Sequence, residues 1–540
     1  MKEKEYNLLY ERWLKVRYLD GRMDEIGLID AFKEAHLIKA LNGELPTQDL
    51  AIMRMMLAAL YSIYLKVDAE GNERKIEDSD EAIEQWNEIW NKSCFKPELI
   101  EKYFEKYEDR FYLFHPERPF YQAPIKTGTY YSSAKLNGEI SESNNKRRLF
   151  SPSCGVLKNN LTYSQAARWL IYTMAFDDAS SKQKDKSNGS ISIKTGWLGQ
   201  IGPTYAEGNN LFETLMLNLV LVDENDEVMA DGKPIWEFDA IRIKEREIIP
   251  LPDNQSELLT LQTRRILLAR SEKDVVEGYT ILGGDVTTAE NALIEQMTSW
   301  KNDSKKNIYT PIRLKQDRSM WRDYSSILLR NNANTEGTKS PGVVNWIRTL
   351  HSCGHIPYSM LKLRVSGVTY DSKSSSVVSQ IDDSLSVNIQ LLSKLNDSWN
   401  NRISQSIATI DEGIMHLGNF LYDLLESEGN ERNETSVKTR KENAKSEAYY
   451  RIDQPFRRWL ASIDPTNDVI ETSICKLYEV VRNILMNIGR EMMNEASSAA
   501  LIGKTRDNMS DKKYKNAFKS YNKFEDKIYK TFRSVAKDEC

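Results

Sequence analysis

The sequence lacks the features that mark membrane-spanning and secreted proteins. It has no run of about 18 apolar residues, the length that a transmembrane helix requires, and its mean hydropathy is −0.57. The charged start at residues 1–5 is not followed by the apolar stretch of a signal peptide. The five cysteines are scattered and none forms a Cys-x-x-Cys pair, which favours a reducing compartment over a disulfide framework. We therefore expect a cytoplasmic protein without a membrane segment.

Recognisable catalytic and nucleotide-binding motifs are also missing. There is no phosphate-binding P-loop, and the Gly-Gly-Asp at 283–285 indicates only a turn, because no Gly-x-Gly-x-x-Gly follows a strand. His351, Cys353 and His355 are potential metal ligands, but a structural zinc site needs a fourth, and Gly354 predicts a helix end there. We predict a non-enzymatic protein with no metal or cofactor. A hydrolase or nuclease that uses the His351 and His355 region is the alternative.

The apolar pattern predicts two domains of different class. Residues 1–383 mix short candidate strands with helical stretches such as 163–176. From about residue 385 onward the apolar spacing is helical throughout, and four helices are expected at 385–425, 449–463, 469–502 and 511–537. We therefore predict an α+β fold, with a large mixed N-terminal domain at 1–383 and a C-terminal four-helix bundle at 384–540.

The charge balance excludes a chain that is basic throughout. Lys and Arg number 74 and Asp and Glu number 79, for a net charge of −5. Any contact with nucleic acid must therefore come from local basic patches, or from shape within a larger assembly. Polar residues dominate 132–148 and 180–195, and we interpret both stretches as long surface loops.

The first polar loop carries a basic cluster next to an aromatic residue. Lys146, Arg147 and Arg148 lie close to Phe150. A cationic cluster beside an exposed aromatic ring suits phosphate contact combined with base stacking. The alternative is an ordinary solvated loop with Phe150 packed into the core.

Two further segments are locally basic. The second polar loop holds Lys182, Lys184, Lys186 and Lys194 around a turn-forming Asn-Gly-Ser at 188–190. In the last predicted helix, lysines recur at helical spacing and define one basic face, which includes Lys515, Lys519 and Lys523. The alternatives are a disordered linker for the loop and a plain solvated surface for the helix.

Five segments, taken in order along the chain, carry a family resemblance. They are Asn-Leu-Leu followed by Trp-Leu-Lys-Val-Arg at 7–17, His-Pro-Glu-Arg-Pro-Phe-Tyr-Gln at 115–122, Leu-Phe-Ser at 149–151, Lys-Thr-Gly at 194–196, and Gly-Asn-Asn-Leu-Phe-Glu-Thr-Leu-Met-Leu-Asn at 208–218. With the chain length and the helical C-terminal region, this ordered set resembles the CasA family, the large subunit of the type I-E CRISPR surveillance complex, Cascade.

The resemblance implies binding rather than a reaction. In such complexes the guide RNA reads the target sequence, and protein recognises a short adjacent motif, the PAM, together with backbone shape. The large subunit would read the PAM, start the R-loop by opening the duplex and lie close to where a helicase–nuclease is recruited. The implied partners are CRISPR RNA, target double-stranded DNA, the other Cascade subunits and the helicase–nuclease. A purely structural scaffold is a further alternative.

The family's DNA-contacting elements carry over to two segments. The glycine loop falls at Asn188, Gly189, Ser190, Ile191 and Ser192, next to Lys194, and keeps one glycine. The hairpin that pries the duplex open falls at Asp371, Ser372, Lys373 and Ser374. The family's glutamine is absent there, and Lys373 or Ser372 occupies its approximate place.

Two other family elements are also expected. The groove-binding lysine falls within 270–306, where the candidates are Lys273, Lys301, Lys305 and Lys306. The resemblance assigns the loop that bears Phe150 to contacts with the RNA and the complex, and it places the helical bundle near the displaced strand.

The net charge generates the first prediction. We expect the isolated chain to bind a short DNA duplex weakly, because its net charge of −5 opposes the attraction of the local basic patches. A titration at physiological salt, with and without a PAM in the duplex, tests this. Tight binding of the free protein with full PAM selectivity would contradict it.

Overall fold

The computed structural model describes residues 4–142, 154–180, 182, 191–329, 337–503 and 515–533. It has 45% helix and 18% strand, which confirms a mixed α and β fold. The chain divides into two compact units: the first comprises residues 1–318, 330–357 and 362–384, and the second comprises 319–329, 358–361 and 385–540. The main division lies one residue from the predicted boundary, but two short earlier segments also belong to the second unit.

The helices and strands are short in the first unit and long in the second. The helices are α1 (Leu28–Lys33), α2 (Pro46–Tyr64), α3 (Ser79–Lys92), α4 (Pro97–Glu105), α5 (Ser133–Leu136), α6 (Val156–Asn159), α7 (Tyr163–Phe176), α8 (Leu211–Asn218), α9 (Gln255–Leu258), α10 (Tyr324–Leu328), α11 (Gly342–Ser352), α12 (Asp397–Ser427), α13 (Thr435–Ser462), α14 (Ile470–Asn494), α15 (Ser498–Ile502) and α16 (Ala517–Thr531). The strands are β1 (Glu5–Asn7), β2 (Leu14–Tyr18), β3 (Met23–Ile26), β4 (Ile38–Leu41), β5 (Tyr112–Phe114), β6 (Thr129–Ser132), β7 (Leu161–Thr162), β8 (Thr204–Glu207), β9 (Glu247–Ile248), β10 (Arg264–Arg270), β11 (Val275–Gly283), β12 (Asp285–Val286), β13 (Trp300–Asp303), β14 (Ile308–Pro311), β15 (Thr338–Lys339), β16 (Met360–Tyr370) and β17 (Val377–Asn388).

The strands form several small sheets rather than one large one. Two of these sheets support the candidate site. In one, the order is β10-β11-β6, with β7 also paired to β11; in the other, the order is β17-β16-β8. Antiparallel pairing of β10 with β11 sets Leu268 opposite Tyr279, and both side chains are buried. Parallel pairing is limited to the short strands β9 and β12 among the described residues.

Helix α2 forms the centre of the first unit. Its residues from Leu50 to Tyr64 are almost all apolar and nearly all buried, so it has no solvent-facing stripe. It contacts α7, α8 and α9. A helix that is apolar on all sides must be covered on all sides, which explains why short elements surround it.

One ion pair lies inside this core. Arg54 of α2 makes a two-point contact with the Glu295 carboxylate, with both N–O distances 2.8 Å. Glu295 also accepts hydrogen bonds from Trp197 Nε1 at 2.6 Å and from the backbone N–H of Met297 at 3.0 Å. Although burial opposes ionisation, Arg54 holds the pKa of Glu295 below its ordinary value. The carboxylate therefore ties α2 to the chain at 197 and at 295–297.

The second unit contains four long helices, and α12 contacts α13, α14 and α16. The helical pattern begins later than predicted, because β17 continues to Asn388 and α12 starts at Asp397. Helix α13 begins at Thr435, whereas the sequence analysis predicted that the second helix of the bundle begins at residue 449. Its early turns are charged, yet Val437, Ala444 and Ala448 are buried at helical spacing, and Lys, Arg and Glu are good helix formers.

Two further sequence expectations were wrong in detail. The predicted helix 469–502 is divided into α14 and α15, and the fourth helix, α16, is shorter than predicted. The stretch 132–148 is not a surface loop over its first part, because 133–136 form α5, and Leu136 and Ile140 are buried. None of the helices among the described residues is both long and apolar enough to cross a membrane.

The buried ion pair generates a stability prediction. Glu295→Ala should lower the free energy of unfolding by about 3–5 kcal/mol, because it leaves the Arg54 charge buried without its partner. Lys33→Ala is a matched control, since Lys33 pairs with Glu101 at the surface, and this change should cost about 1 kcal/mol or less. Chemical denaturation of the purified chain measures both. Equal losses for the two variants would contradict the assignment.

Candidate nucleic-acid interface

The predicted hairpin is present and has a narrow, well-bonded tip. Strands β16 and β17 pair, and residues 371–376 connect them. The Asp371 carboxylate accepts hydrogen bonds from the backbone N–H groups of Ser375 at 2.7 Å and Lys373 at 3.2 Å. It also accepts from the hydroxyls of Ser375 at 2.7 Å and Ser376 at 3.0 Å. Asp371 therefore shapes the tip from within.

This bonding fixes the charge and the outer surface of the tip. The hydrogen bonds, with that of the Ser375 hydroxyl the largest contribution, lower the pKa of Asp371 to about 2. Ser374 has φ of 53°, in the left-handed region that a tight turn uses. The side chains of Ser372 and Lys373 are exposed at the outer end. The tip thus presents one hydroxyl and one ammonium group on a bonded backbone.

The predicted glycine loop is described only at its C-terminal end. Asn188, Gly189 and Ser190 lie outside the described residues, whereas Ile191, Ser192 and Lys194 lie within them. Ser192 and Lys194 are exposed, and Lys194 Nζ donates to the carbonyl oxygen of Thr287 at 3.0 Å. The basic cluster Lys146, Arg147 and Arg148, with Phe150, also lies outside the described residues.

A group of buried charged residues lies where the two ends of this loop meet. Its members are Asp177, Asp178, Lys182, Arg264 and Lys135, and together we call them the buried charge cluster. Lys182 Nζ is 2.9 Å from Asp177 Oδ2, and Lys135 Nζ is 2.7 Å from Asp178 Oδ2. Although burial opposes ionisation, Lys182 and then Arg264 hold the pKa of Asp177 well below its ordinary value.

The position of Lys182 corrects the sequence analysis. It was counted among the lysines of a surface loop, but its side chain is only 1% exposed. Its ammonium group also donates to the backbone carbonyl of Asp178 at 3.0 Å. A buried lysine is stable only with such partners, so Lys182 anchors the loop and is not part of its basic surface.

Arg264 joins the two ends of the loop. Its guanidinium group donates to the backbone carbonyls of Asp178 at 2.8 Å and Lys194 at 2.9 Å, and it pairs with the Asp177 carboxylate. The N–H of Gly196 donates to the carbonyl of Asp177 at 2.9 Å. Both ends of the loop are therefore fixed to the first residue of β10.

The hairpin is also bonded to this region, which we call the loop base: the chain from the end of α7 into the loop. The N–H of Ala179 donates to the carbonyl of Ser374 at 2.7 Å, and the Tyr370 hydroxyl donates to the carbonyl of Phe176 at 2.7 Å. Gly199 is required here, because a Cβ at that position would lie 2.1 Å from the Tyr370 hydroxyl oxygen. The structure thus bonds the predicted hairpin to the described residues that lead into the predicted loop.

The candidate groove lysines are not all close to this base. Lys273 is exposed in the turn between β10 and β11, at the opposite end of β10 from Arg264 and so roughly 20 Å along the strand. Lys301 lies on β13, and Lys305 and Lys306 lie in the turn before β14; all three are exposed. The sheet of β13 is separate from that of the hairpin.

Two of the three lysines predicted on the basic face, Lys515 and Lys523, are paired with acidic residues. Lys515 Nζ contacts Asp423 at 3.1 Å and Glu426 at 2.8 Å, and Lys523 Nζ contacts Asp423 at 3.3 Å. Lys519 is exposed. Acidic residues of α12 therefore neutralise part of the face that the lysine spacing predicted as basic.

The His351 region forms a helix end, as Gly354 predicted. Helix α11 stops at Ser352, Gly354 has φ of 77°, and the N–H of His355 donates to the carbonyl of Leu350 at 3.0 Å. Over the described part of the chain, no group of three or more His, Cys, Asp or Glu side chains is placed to hold a metal ion. The helix end accounts for the glycine without a ligand role.

Sequence reasoning missed the arginine that organises the site. Arg264 and Arg265 open β10, a strand of apolar residues, and both are buried. Two arginines at the start of an apolar strand indicate buried acidic or carbonyl partners, because a buried charge must be paired or hydrogen-bonded. Asp177 and Asp178, directly after α7, are the acidic half of that signal.

Comparisons with known proteins identify the family of the chain. Residues 7–490 match the family described as CRISPR-associated protein Cse1. A curated relative, the CRISPR-associated protein CasA/Cse1 of Thermus thermophilus, is 30% identical over 340 residues. That match covers 62% of this chain and 62% of the relative, so the chain spans less than two thirds of the relative's length.

Solved structures share the fold over nearly the whole chain. Thermobifida fusca Cse1 superposes with a TM-score of 0.80 at 26% identity, covering 98% of each chain. A chain of a CRISPR RNA-guided surveillance complex superposes with a TM-score of 0.71, covering 98% of this chain and 100% of that one; its 16% identity shows the fold alone. Because the family match extends over most of the sequence, the chain belongs to the CRISPR-associated Cse1 family, also called CasA.

Proposed function

We propose that this chain is the subunit of a CRISPR RNA-guided surveillance complex that recognises the PAM in target double-stranded DNA and helps to open the duplex. Its partners would be CRISPR RNA, the other Cascade subunits and a recruited helicase–nuclease. Membership of the Cse1 family and the fold shared with a chain of a surveillance complex support this proposal. The role is binding, without a reaction of its own.

The observation that carries the proposal is the common base of the loop and the hairpin. The Ala179–Ser374 hydrogen bond and the Tyr370–Phe176 hydrogen bond link the hairpin to the chain that starts the loop. A segment that reads the groove and a segment that separates the base pairs must act at adjacent positions on DNA. A shared base fixes their spacing before DNA arrives, which reduces the ordering cost of binding.

The tip is suited to act as a wedge without the family's glutamine. Unstacking a base step costs a few kcal/mol, so the inserted element must hold its shape. Four hydrogen bonds to Asp371 keep the tip narrow. Lys373 then adds attraction to a phosphate or a groove acceptor, which a neutral side chain supplies less strongly.

Other contacts complete the proposed role. Lys194 and the segment Asn188 to Ser192 would approach the minor groove, with Gly189 allowing close backbone contact. Lys146, Arg147, Arg148 and Phe150 would contact the RNA end of the complex. On α16, Lys519 would act with the displaced strand or the recruited helicase–nuclease. These assignments come from the family resemblance and stay predictions.

The hairpin prediction is tested in the assembled complex. Lys373→Ala should weaken binding to a PAM-containing duplex and lower the slope of log affinity against log salt by about 1, because one phosphate contact is lost. Binding to a target with a pre-opened bubble should change little. Lys75→Ala is the matched control, since Lys75 is an exposed lysine elsewhere in the same unit. If the variant binds both targets as the parent does, the wedge assignment is wrong. If it loses binding to both targets equally, the hairpin holds the fold or the assembly and does not open DNA.

The bundle lysines give a separate prediction. Lys519→Glu should reduce target degradation by the recruited nuclease more than it reduces RNA assembly. Lys515→Glu and Lys523→Glu should lower the melting temperature, because each sets a carboxylate against Asp423. Thermal melting and a degradation assay separate the two effects. Unchanged degradation by the Lys519→Glu complex at physiological salt would contradict the proposed role of this face.

A further inference from the structure

A second arginine bridges the two ends of the loop. The Arg246 side chain is buried, and its two terminal nitrogens point to different ends. Nη2 donates to the carbonyl of Lys182 at 3.2 Å, and Nη1 donates to the carbonyl of Ile191 at 2.9 Å. Because both nitrogens belong to one planar guanidinium group, the two carbonyl oxygens are held close together. The chain that leaves at 182 therefore returns at 191 beside it.

Arg246 is itself held firmly from three directions. Its φ of 49° lies in the left-handed region, which is uncommon for a residue other than glycine. Its N–H donates to the carbonyl of Gly283 at 3.0 Å, and its Nε donates to the Glu245 carboxylate at 2.9 Å. Such backbone conformations persist where the surroundings over-determine them, often at functional sites.

Gly283 makes room for this side chain. A Cβ at position 283 would lie 2.9 Å from Cγ of Arg246 and 3.2 Å from Cγ1 of Ile193. The Gly-Gly-Asp at 283–285, which the sequence identified only as a turn, thus has a second purpose: its first glycine lets the end of β11 pass beside the arginine.

Two guanidinium groups therefore close the loop in successive layers. The inner layer is Arg264, which bonds the carbonyls of Asp178 and Lys194. The outer layer is Arg246, which bonds the carbonyls of Lys182 and Ile191. Removing the outer layer would leave the loop closed only at Asp178 and Lys194, and the entropy cost of closing a loop rises with the number of residues between its closing points.

We propose that Arg246 is a positioning residue: it closes the base of the loop and so sets the geometry with which the loop reads the PAM. This inference rests on the proposed function. Arg246 does not itself have to touch DNA, since its guanidinium group is occupied by backbone carbonyls and by Glu245. Its effect would pass through the positions of Lys182 and Ile191.

Hydrogen exchange on the intact chain tests the clamp without reference to DNA. Arg246→Ala should speed amide exchange in peptides covering 178–195 and leave peptides from β10 and β11 unchanged. Arg110→Ala is the matched control, because Arg110 also donates to a backbone carbonyl, that of Phe238, at 2.8 Å; this change should leave exchange at 178–195 as in the parent. Gly283→Ala keeps the arginine but displaces its side chain, so it should give the same local change.

Binding by the assembled complex tests the consequence. The ratio of affinities for duplexes with and without a PAM should fall by roughly 2- to 30-fold in Arg246→Ala, the range for residues that couple to a ligand without contact. Binding to a pre-opened bubble should be retained. Arg246→Lys keeps the charge without the planar fork and should recover part of the ratio.

The outcomes separate the inference from the proposed function. Unchanged exchange at 178–195 in both Arg246→Ala and Gly283→Ala would overturn the clamp. Faster exchange that extends equally through β10 and β11 would also overturn it, because Arg246 would then hold the fold in general. A local increase in exchange, together with a parent complex that shows no PAM preference, would support the clamp and reject the proposed function.

Discussion

The candidate interface depends on the buried charge cluster under the loop. Removing charges from water is costly, and losing one partner of a buried pair typically costs about 3–5 kcal/mol. Asp177, Lys182 and Arg264 can therefore be buried only in an arrangement that satisfies them together. That requirement fixes the end of α7, the start of β10 and both ends of the loop relative to one another.

This constraint extends from the loop to the hairpin. The backbone directly after α7 bonds the Ser374 carbonyl, and the last residue of α7 accepts the Tyr370 hydroxyl bond. A change at the loop base therefore also changes the residues that hold the hairpin tip in position. Two elements that the sequence separates by almost 200 residues, such as Phe176 and Tyr370 with a separation of 194, behave as one support.

Local signals were predictable from sequence, and long-range charge pairing was not. Helix α7 has its predicted bounds because Thr162 and Gln165 form a capping box before a buried apolar run. The hairpin at 371–374 was placed by the family resemblance, and its Asp and Ser residues favour a tight turn. Lys182 was misassigned because its partners Asp177 and Arg264 are brought to it by folding, and polar composition alone resembles a surface loop. The predicted start of helix α13 was too late, because its first turns are mostly charged and have few buried positions.

The hairpin tip separates the residues that give it shape from those that face outward. Its form is determined by the bonds that Asp371 accepts from the backbone of 373 and 375 and from the hydroxyls of 375 and 376. The side chains at 372 and 373 make none of these bonds. Substitutions at these two positions can therefore accumulate without refolding the hairpin. The outer side chain of the tip can therefore differ, as a lysine in place of the glutamine that the resemblance implies, while the scaffold stays the same.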